Sequence, residues 1–207
     1  MVEFSLGPCK VRLHFLFLAA MGIVLFTDVR GTALLGIGAV VIHESGHLLL
    51  MLLFGIPPKL VEIHPFGVIL KEPADCQTTM VQEGWISLGG PLANGLAAMV
   101  LLLLRPWLPA WGEEFLLYHL ALGIFNLLPV ESLDGGRALT LFLLPVLGGR
   151  RTGILVTILS LFCLIPLGTV GFLLLLQSPW NFSLLLVSVY LMLCLVLKNQ
   201  GLFSREP

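Results

Sequence analysis

Two stretches of this chain leave little choice of environment. Residues 152–176 carry no charged side chain, and neither do residues 84–104. Either run can cross hydrocarbon as a helix, which takes about 20 residues. Composition agrees: 57% of residues are hydrophobic and 11% charged, with a mean hydropathy of +1.02. Soluble domains carry about 25% charged residues. The chain therefore reads as an all-α, polytopic membrane protein. At 207 residues, a single membrane domain over 1–207 is the natural count, closed by a short polar segment at 198–207. A net charge of −1 and the lack of a basic cluster give no sign of a nucleic-acid partner. Cys9, Cys76, Cys163 and Cys194 are scattered without a CxxC pair, so no disulfide framework is expected.

Six spans fit the hydropathy: roughly 11–27, 32–54, 82–104, 114–128, 152–176 and 181–197. A further apolar piece at 138–147 follows the break made by Pro129 and Gly135-Gly136. Lys10 and Arg12 before an apolar run could imitate a signal peptide, but no small-residue cleavage site follows, so the run reads as a retained first helix. Cationic residues set the orientation. Lys10, Arg12, Lys59, Lys71, Arg150, Arg151, Lys198 and Arg205 fall on one side, Arg30 and Arg105 on the other. Eight against two places both termini in the cytoplasm. Between the second and third spans, alternation around residues 59–63, a turn signal at HPFG and the resumption at 68–70 predict a β-hairpin at the membrane surface. An irregular amphipathic loop is the alternative.

The second span holds the residues it should least tolerate. AVVIHESGHLLLMLLFG sets His43, Glu44 and His47 within apolar sequence, and ionisable groups at that depth are functional by default. His43-Glu44-Ser45-Gly46-His47 matches H-E-x-x-H. On a helix, positions i and i+4 share a face, so His43 and His47 can hold one zinc ion. Glu44 can then serve as general base toward a zinc-bound water. A catalytic zinc needs a third protein ligand; Asp134, in FNLLPVESLDGGRAL beside a broken backbone, is the candidate. A pair of helix-packing histidines is the plain alternative.

Taken together, HESGH in one span, GGPLANGL at residues 89–96 and NLLPVESLDGGR in a later span resemble the site-2 protease family (peptidase family M50). The similarity covers roughly residues 32–140, and the catalytic core is placed at about 32–147. The chain resembles in particular the bacterial branch containing the stage IV FB sporulation protease. The resemblance implies an intramembrane zinc metalloendopeptidase of the cell membrane, with one zinc per chain. His43, His47 and Asp134 would be ligands, Glu44 the catalytic base, and Asn94, Pro91 and Asn126 substrate-binding residues, Asn94 alternatively ordering the core. The implied substrate is a membrane-spanning protein, a sigma or anti-sigma factor or a pro-protein, cut to release a cytoplasmic fragment; a homo-oligomer is compatible. This chain departs from the family by carrying Glu131-Ser132 where many relatives have prolines. Glu131 either adds a carboxylate near the metal or faces cytoplasmic water. No CBS or PDZ domain is read. His14, His64 and His119 are taken as structural. Two other functions stay open: a catalytically silent scaffold for transmembrane helices, and a metal or proton transporter.

Overall fold

The structure is a computed structural model that describes residues 1–6, 9–28, 31–64, 67–71, 78–178 and 182–203. Cys76, Arg30, Arg205 and the Pro65-Phe66 turn lie outside the described residues. Two compact units divide the chain, Met1–Phe125 and Asn126–Pro207.

In the first unit, strands β1 (Val2–Leu6) and β2 (Cys9–Leu13) precede helices α1 (Phe15–Thr27) and α2 (Thr32–Leu53). Strands β3 (Leu60–His64) and β4 (Gly67–Lys71) follow, then α3 (Met80–Leu104) and α4 (Ala110–Leu127). The expected hairpin is present as β3–β4, antiparallel, with Leu60 opposite Lys71 and His64 opposite Gly67. It is half of a larger object. The sheet has four strands in the order β1-β2-β3-β4, and β2 runs parallel to β3, Val11 pairing with Val61. The first helix consequently starts at Phe15, not Val11. Residues 11–13 alternate across a sheet in which Arg12 reaches both Glu3 at 2.9 Å and Glu62 at 3.1 Å. Those cross-strand partners outweigh the apolar drift that suggested helix.

Helix ends are fixed by local chemistry. Asp28 accepts the free amides of Thr32 and Ala33 at 3.2 and 2.7 Å, which satisfies orphan donors at the start of α2. Thr79 and Gln82 form a reciprocal capping box at α3. α1 buries no residue and is apolar on every side, the surface expected of a helix in lipid.

α3 is the spine of this unit. Its buried residues Gly84, Ser87, Pro91, Asn94, Ala98 and Leu101 recur every three or four positions and make one stripe. α2 packs along it. The crossing is very close: a Cβ on Gly46 would overlap the Gly89 carbonyl, and one on Gly89 would lie 2.6 Å from the Gly46 carbonyl. α4 contributes Gly112, Leu116, His119 and Gly123, again a single face, and Leu116 joins Ala98 and Leu101 in the core.

The second unit comprises α5 (Asp134–Leu147), α6 (Gly149–Gln177) and α7 (Ser183–Phe203). α6 packs against α5 and α7, with Val156, Leu164, Leu191 and Leu195 buried. α2, α3 with its short extension to Trp107, and α6 are long and apolar enough to cross a membrane, while Phe15–Thr27 and Ser183–Lys198 are shorter apolar helices. Mostly helical membrane architecture is as expected from sequence; the sheet is twice the size of the hairpin.

Candidate metal centre

The H-E-x-x-H spacing does on α2 what helical geometry requires. His43 is buried and His47 half-buried, one turn apart, with their Nε2 atoms 3.3 Å from each other. Two ligands on a tetrahedral zinc, each about 2.0–2.1 Å from the metal, stand about 3.3 Å apart. The nitrogens thus have the separation a shared ion demands. A Cβ on Gly90 of α3 would overlap His47 Nε2 and lie 2.5 Å from His43 Nε2, so glycine keeps that space open.

The outer ring nitrogens also have partners, as those of metal-binding imidazoles do. His47 Nδ1 lies 2.7 Å from the Ile86 carbonyl, an acceptor only, and so donates to it. His43 Nδ1 lies 3.0 Å from Asn94 Nδ2, and Asn94 Oδ1 lies 3.0 Å from His119 Nδ1. Asn94 and His119 are both fully buried. His119 was not anticipated as a neighbour of the site. The signal that could have found it is its place on the α4 stripe, where it is the one imidazole among small and apolar residues. His14 and His64 stack on each other at the sheet, with ring centroids 3.9 Å apart. Pro91 is buried in α3.

Glu44 projects elsewhere. With Val40, Val41, Ser45 and Leu48 it lines a cavity of about 800 Å³ whose other walls are Phe17, Met21 and Val24 of α1 and Val61, Ile63, Val68 and Leu70 of β3–β4. A carboxylate one residue after a metal-binding imidazole, opening on a mostly apolar cavity that reaches a sheet, can activate water on an extended peptide laid there.

Asp134 opens α5 in the second unit. The loop before it folds back tightly, Val130 N–H donating to Leu128 O and Leu133 N–H to Val130 O, each at 2.8 Å. Gly135 and Gly136 permit this, since a Cβ on either would overlap the carbonyls of Leu127 and Val130 respectively. Glu131 does not face open water: its side chain is only 12% exposed and pairs with Lys198 at 2.7 Å. Its backbone N–H donates to Ser160 at 3.0 Å. A basic side chain at the end of α7 compensates the carboxylate, which is why burial there is tolerated. Asn126 lies half-buried at the end of α4.

An H-E-x-x-H helix crosses a G-P-x-x-N helix through glycine beside a small four-stranded sheet, and a solved protein shares this class of fold, that of a site-2 protease. Known proteins carry the class to particular relatives. The site-2 protease from Methanocaldococcus jannaschii superposes with a TM-score of 0.59 over 92% of this chain and 91% of that one, at 22% identity, a likeness of fold. In sequence, the chain is 31% identical over 131 residues to the protein named "Putative zinc metalloprotease sll0528" of Synechocystis sp.. It is 32% identical over 137 residues to stage IV sporulation protein FB of Bacillus subtilis. These alignments cover 60% and 64% of this chain but 34% and 47% of the two curated relatives, so the match spans about a third and about half of their lengths. No family model matches. Motifs, sequence relatives and fold together support the site-2 protease family.

Proposed function

We propose that this chain is a zinc-dependent intramembrane endopeptidase that cuts a membrane-tethered protein in or near its transmembrane segment and releases a cytoplasmic fragment. The observation that carries the reading is the Nε2 pair 3.3 Å apart on the same helix as Glu44, which follows His43 in sequence and opens on the 800 Å³ cavity between α1, α2 and the sheet. His43 and His47 supply two ligands, and Asp134, the first residue of α5, supplies the third. A zinc ion held there contributes Lewis-acid polarisation of a carbonyl and a water whose pKa lies near 7.

The chain's own residues do the rest. Glu44 takes a proton from the attacking water on its carboxylate and returns it to the leaving amine. A helical substrate hides its carbonyls in its own hydrogen bonds, so it must unwind before attack. β4 is the last strand of the sheet, and its Val68 and Leu70 face the cavity that Glu44 lines. An unwound segment adding beside β4 would gain backbone hydrogen bonds while its peptide bond lies near Glu44. Asn94, fully buried, orders the metal pair; Pro91 and Asn126 are assigned to the substrate path. The membrane reading comprises six spans with both termini cytoplasmic.

The deciding experiment uses purified protein in liposomes with a tagged transmembrane substrate. Glu44→Gln should retain stoichiometric zinc and lose cleavage, and Asp134→Ala should lose zinc as well. Full cleavage by Glu44→Gln would remove the mechanism. Cleavage absent in the wild type despite bound zinc would favour the scaffold reading.

A further inference from the structure

His119 takes no part in the metal pair, yet it is fully buried and joined to it through one amide. His119 on α4, Asn94 on α3 and His43 on α2 form a file across three helices, with nitrogen–amide separations of 3.0 Å at both links. His119 Nε2 is buried without a hydrogen-bond partner among the described residues.

Proton positions along this file are not independent. A neutral imidazole carries one N–H and one lone pair. His47 has its proton on Nδ1, facing the Ile86 carbonyl, and a lone pair on Nε2. Suppose Asn94 donates through Nδ2 to His43 Nδ1. The His43 proton then sits on Nε2, pointed at His47 Nε2, and His119 donates from Nδ1 to Asn94 Oδ1. Turning the amide end for end exchanges the two groups and leaves both links in place. His43 Nδ1 now donates to Oδ1, so His43 Nε2 presents a lone pair beside that of His47. Asn94 Nδ2 donates to His119 Nδ1, and the His119 proton sits on Nε2. Only this second arrangement lets both Nε2 atoms bind one metal. No proton is gained or lost between the two: one moves from Nε2 to Nδ1 on His43, another from Nδ1 to Nε2 on His119.

We propose that His119 is a positioning residue for the metal pair: by accepting from Asn94 at Nδ1, it holds the amide in the orientation that leaves the His43 Nε2 lone pair available. The proposal rests on His43 and His47 being zinc ligands. His119 touches neither metal nor substrate and acts wholly through Asn94.

The test measures zinc affinity by competition with a chromophoric chelator, using the purified full chain, together with ¹⁵N spectra of the histidine side chains. Partners of metal-binding imidazoles are typically worth about 10–100-fold in affinity; one link further out, His119→Leu should cost about tenfold. His119→Asn places an acceptor oxygen near the former Nδ1 and should return affinity to within about threefold of wild type. Zinc-loaded wild type should show the His119 proton on Nε2 and the His43 proton on Nδ1. A His119→Leu affinity equal to wild type, a His119→Asn variant as weak as His119→Leu, or a loaded wild type with the His119 proton on Nδ1 would each overturn the proposal. If the variants do not fold, the wild-type spectra decide alone. Failure of wild type to bind zinc would instead defeat the zinc reading beneath it.

Discussion

Gly90 acts on the site through the side chain it lacks. A methyl group there would occupy the space between His43 and His47 Nε2 without disturbing α3, because alanine favours helix over glycine by about 1 kcal/mol. Gly90→Ala should therefore keep its helical circular dichroism and lose zinc affinity by more than roughly tenfold, checked by metal analysis after dialysis. Gly46→Ala should act first on packing. Its methyl meets the Gly89 carbonyl, backbone that cannot rotate away, so α2 and α3 must part. A loss of roughly 1–3 kcal/mol, the usual cost of overpacking, should appear as a lowered thermal midpoint. His43, Glu44 and His47 were legible in sequence because four-residue spacing is local and carries its own geometry. The value of Gly90 and the role of His119 were not, since both depend on helices that meet only after folding. Asn94 stood out as part of a motif, but its partners lie 51 residues before and 25 after it.

At the scale of elements, the sheet shows how polar networks decide between helix and strand. The β3–β4 hairpin was readable from alternation and a turn, both of which are local. β1 and β2 were missed because their support comes from elsewhere: β2 pairs with β3 across two helices. Glu62 is the hub of that pairing, bonded to Arg12 of β2 at 3.1 Å and Lys71 of β4 at 3.0 Å. Hydrogen bonds from Lys71 and then Arg12 hold its carboxyl below the usual glutamate range, against a smaller opposing effect of desolvation. The sign follows from that direction. A carboxylate whose folded pKa is depressed stabilises the fold above its unfolded pKa, and this stability is lost as pH falls through the lowered folded value. Protection factors of β2 and β3 amides, measured exchange corrected for the intrinsic rate at each pH, should therefore be high near neutral pH and fall on acidification below about pH 4. Glu62→Gln should exchange faster at neutral pH and show a much smaller acid step. A wild-type sheet whose protection ignores that pH range would refute the hub.

For the molecule in its membrane, the sheet supplies an argument about sidedness that charge counting alone lacks. β2 and β3 lie side by side and parallel, with α1 and α2 between them in sequence. A chain that leaves a membrane-surface sheet through one helix and rejoins it through another has crossed an even number of times. On the proposed topology residues 9–13, 59–64 and 67–71 therefore share a side, which is the grouping that Lys10, Arg12, Lys59 and Lys71 suggested through their charge. α1 has 13 residues and spans only about 20 Å, short of the roughly 30 Å hydrocarbon core. α2, with 22 residues, reaches about 33 Å. The mismatch predicts local bilayer thinning or water entry beside α1, on the wall of the cavity that Glu44 lines. Both points can be read with one reagent. With Cys76, Cys163 and Cys194 replaced by alanine, a membrane-impermeant maleimide should label Cys9 in inverted vesicles and not in intact cells. Cys9 should be replaced as well when Trp107→Cys, in the exposed turn after α3, is tested, and that site should show the opposite preference. Val24→Cys, on the cavity wall, should react from the Cys9 side more slowly than Cys9 but faster than Phe162→Cys, which lies exposed in the middle of α6 where lipid excludes the reagent. Equal labelling of Cys9 from both faces would overturn the orientation, and a Val24→Cys as inert as Phe162→Cys would show that water does not reach the cavity beside α1.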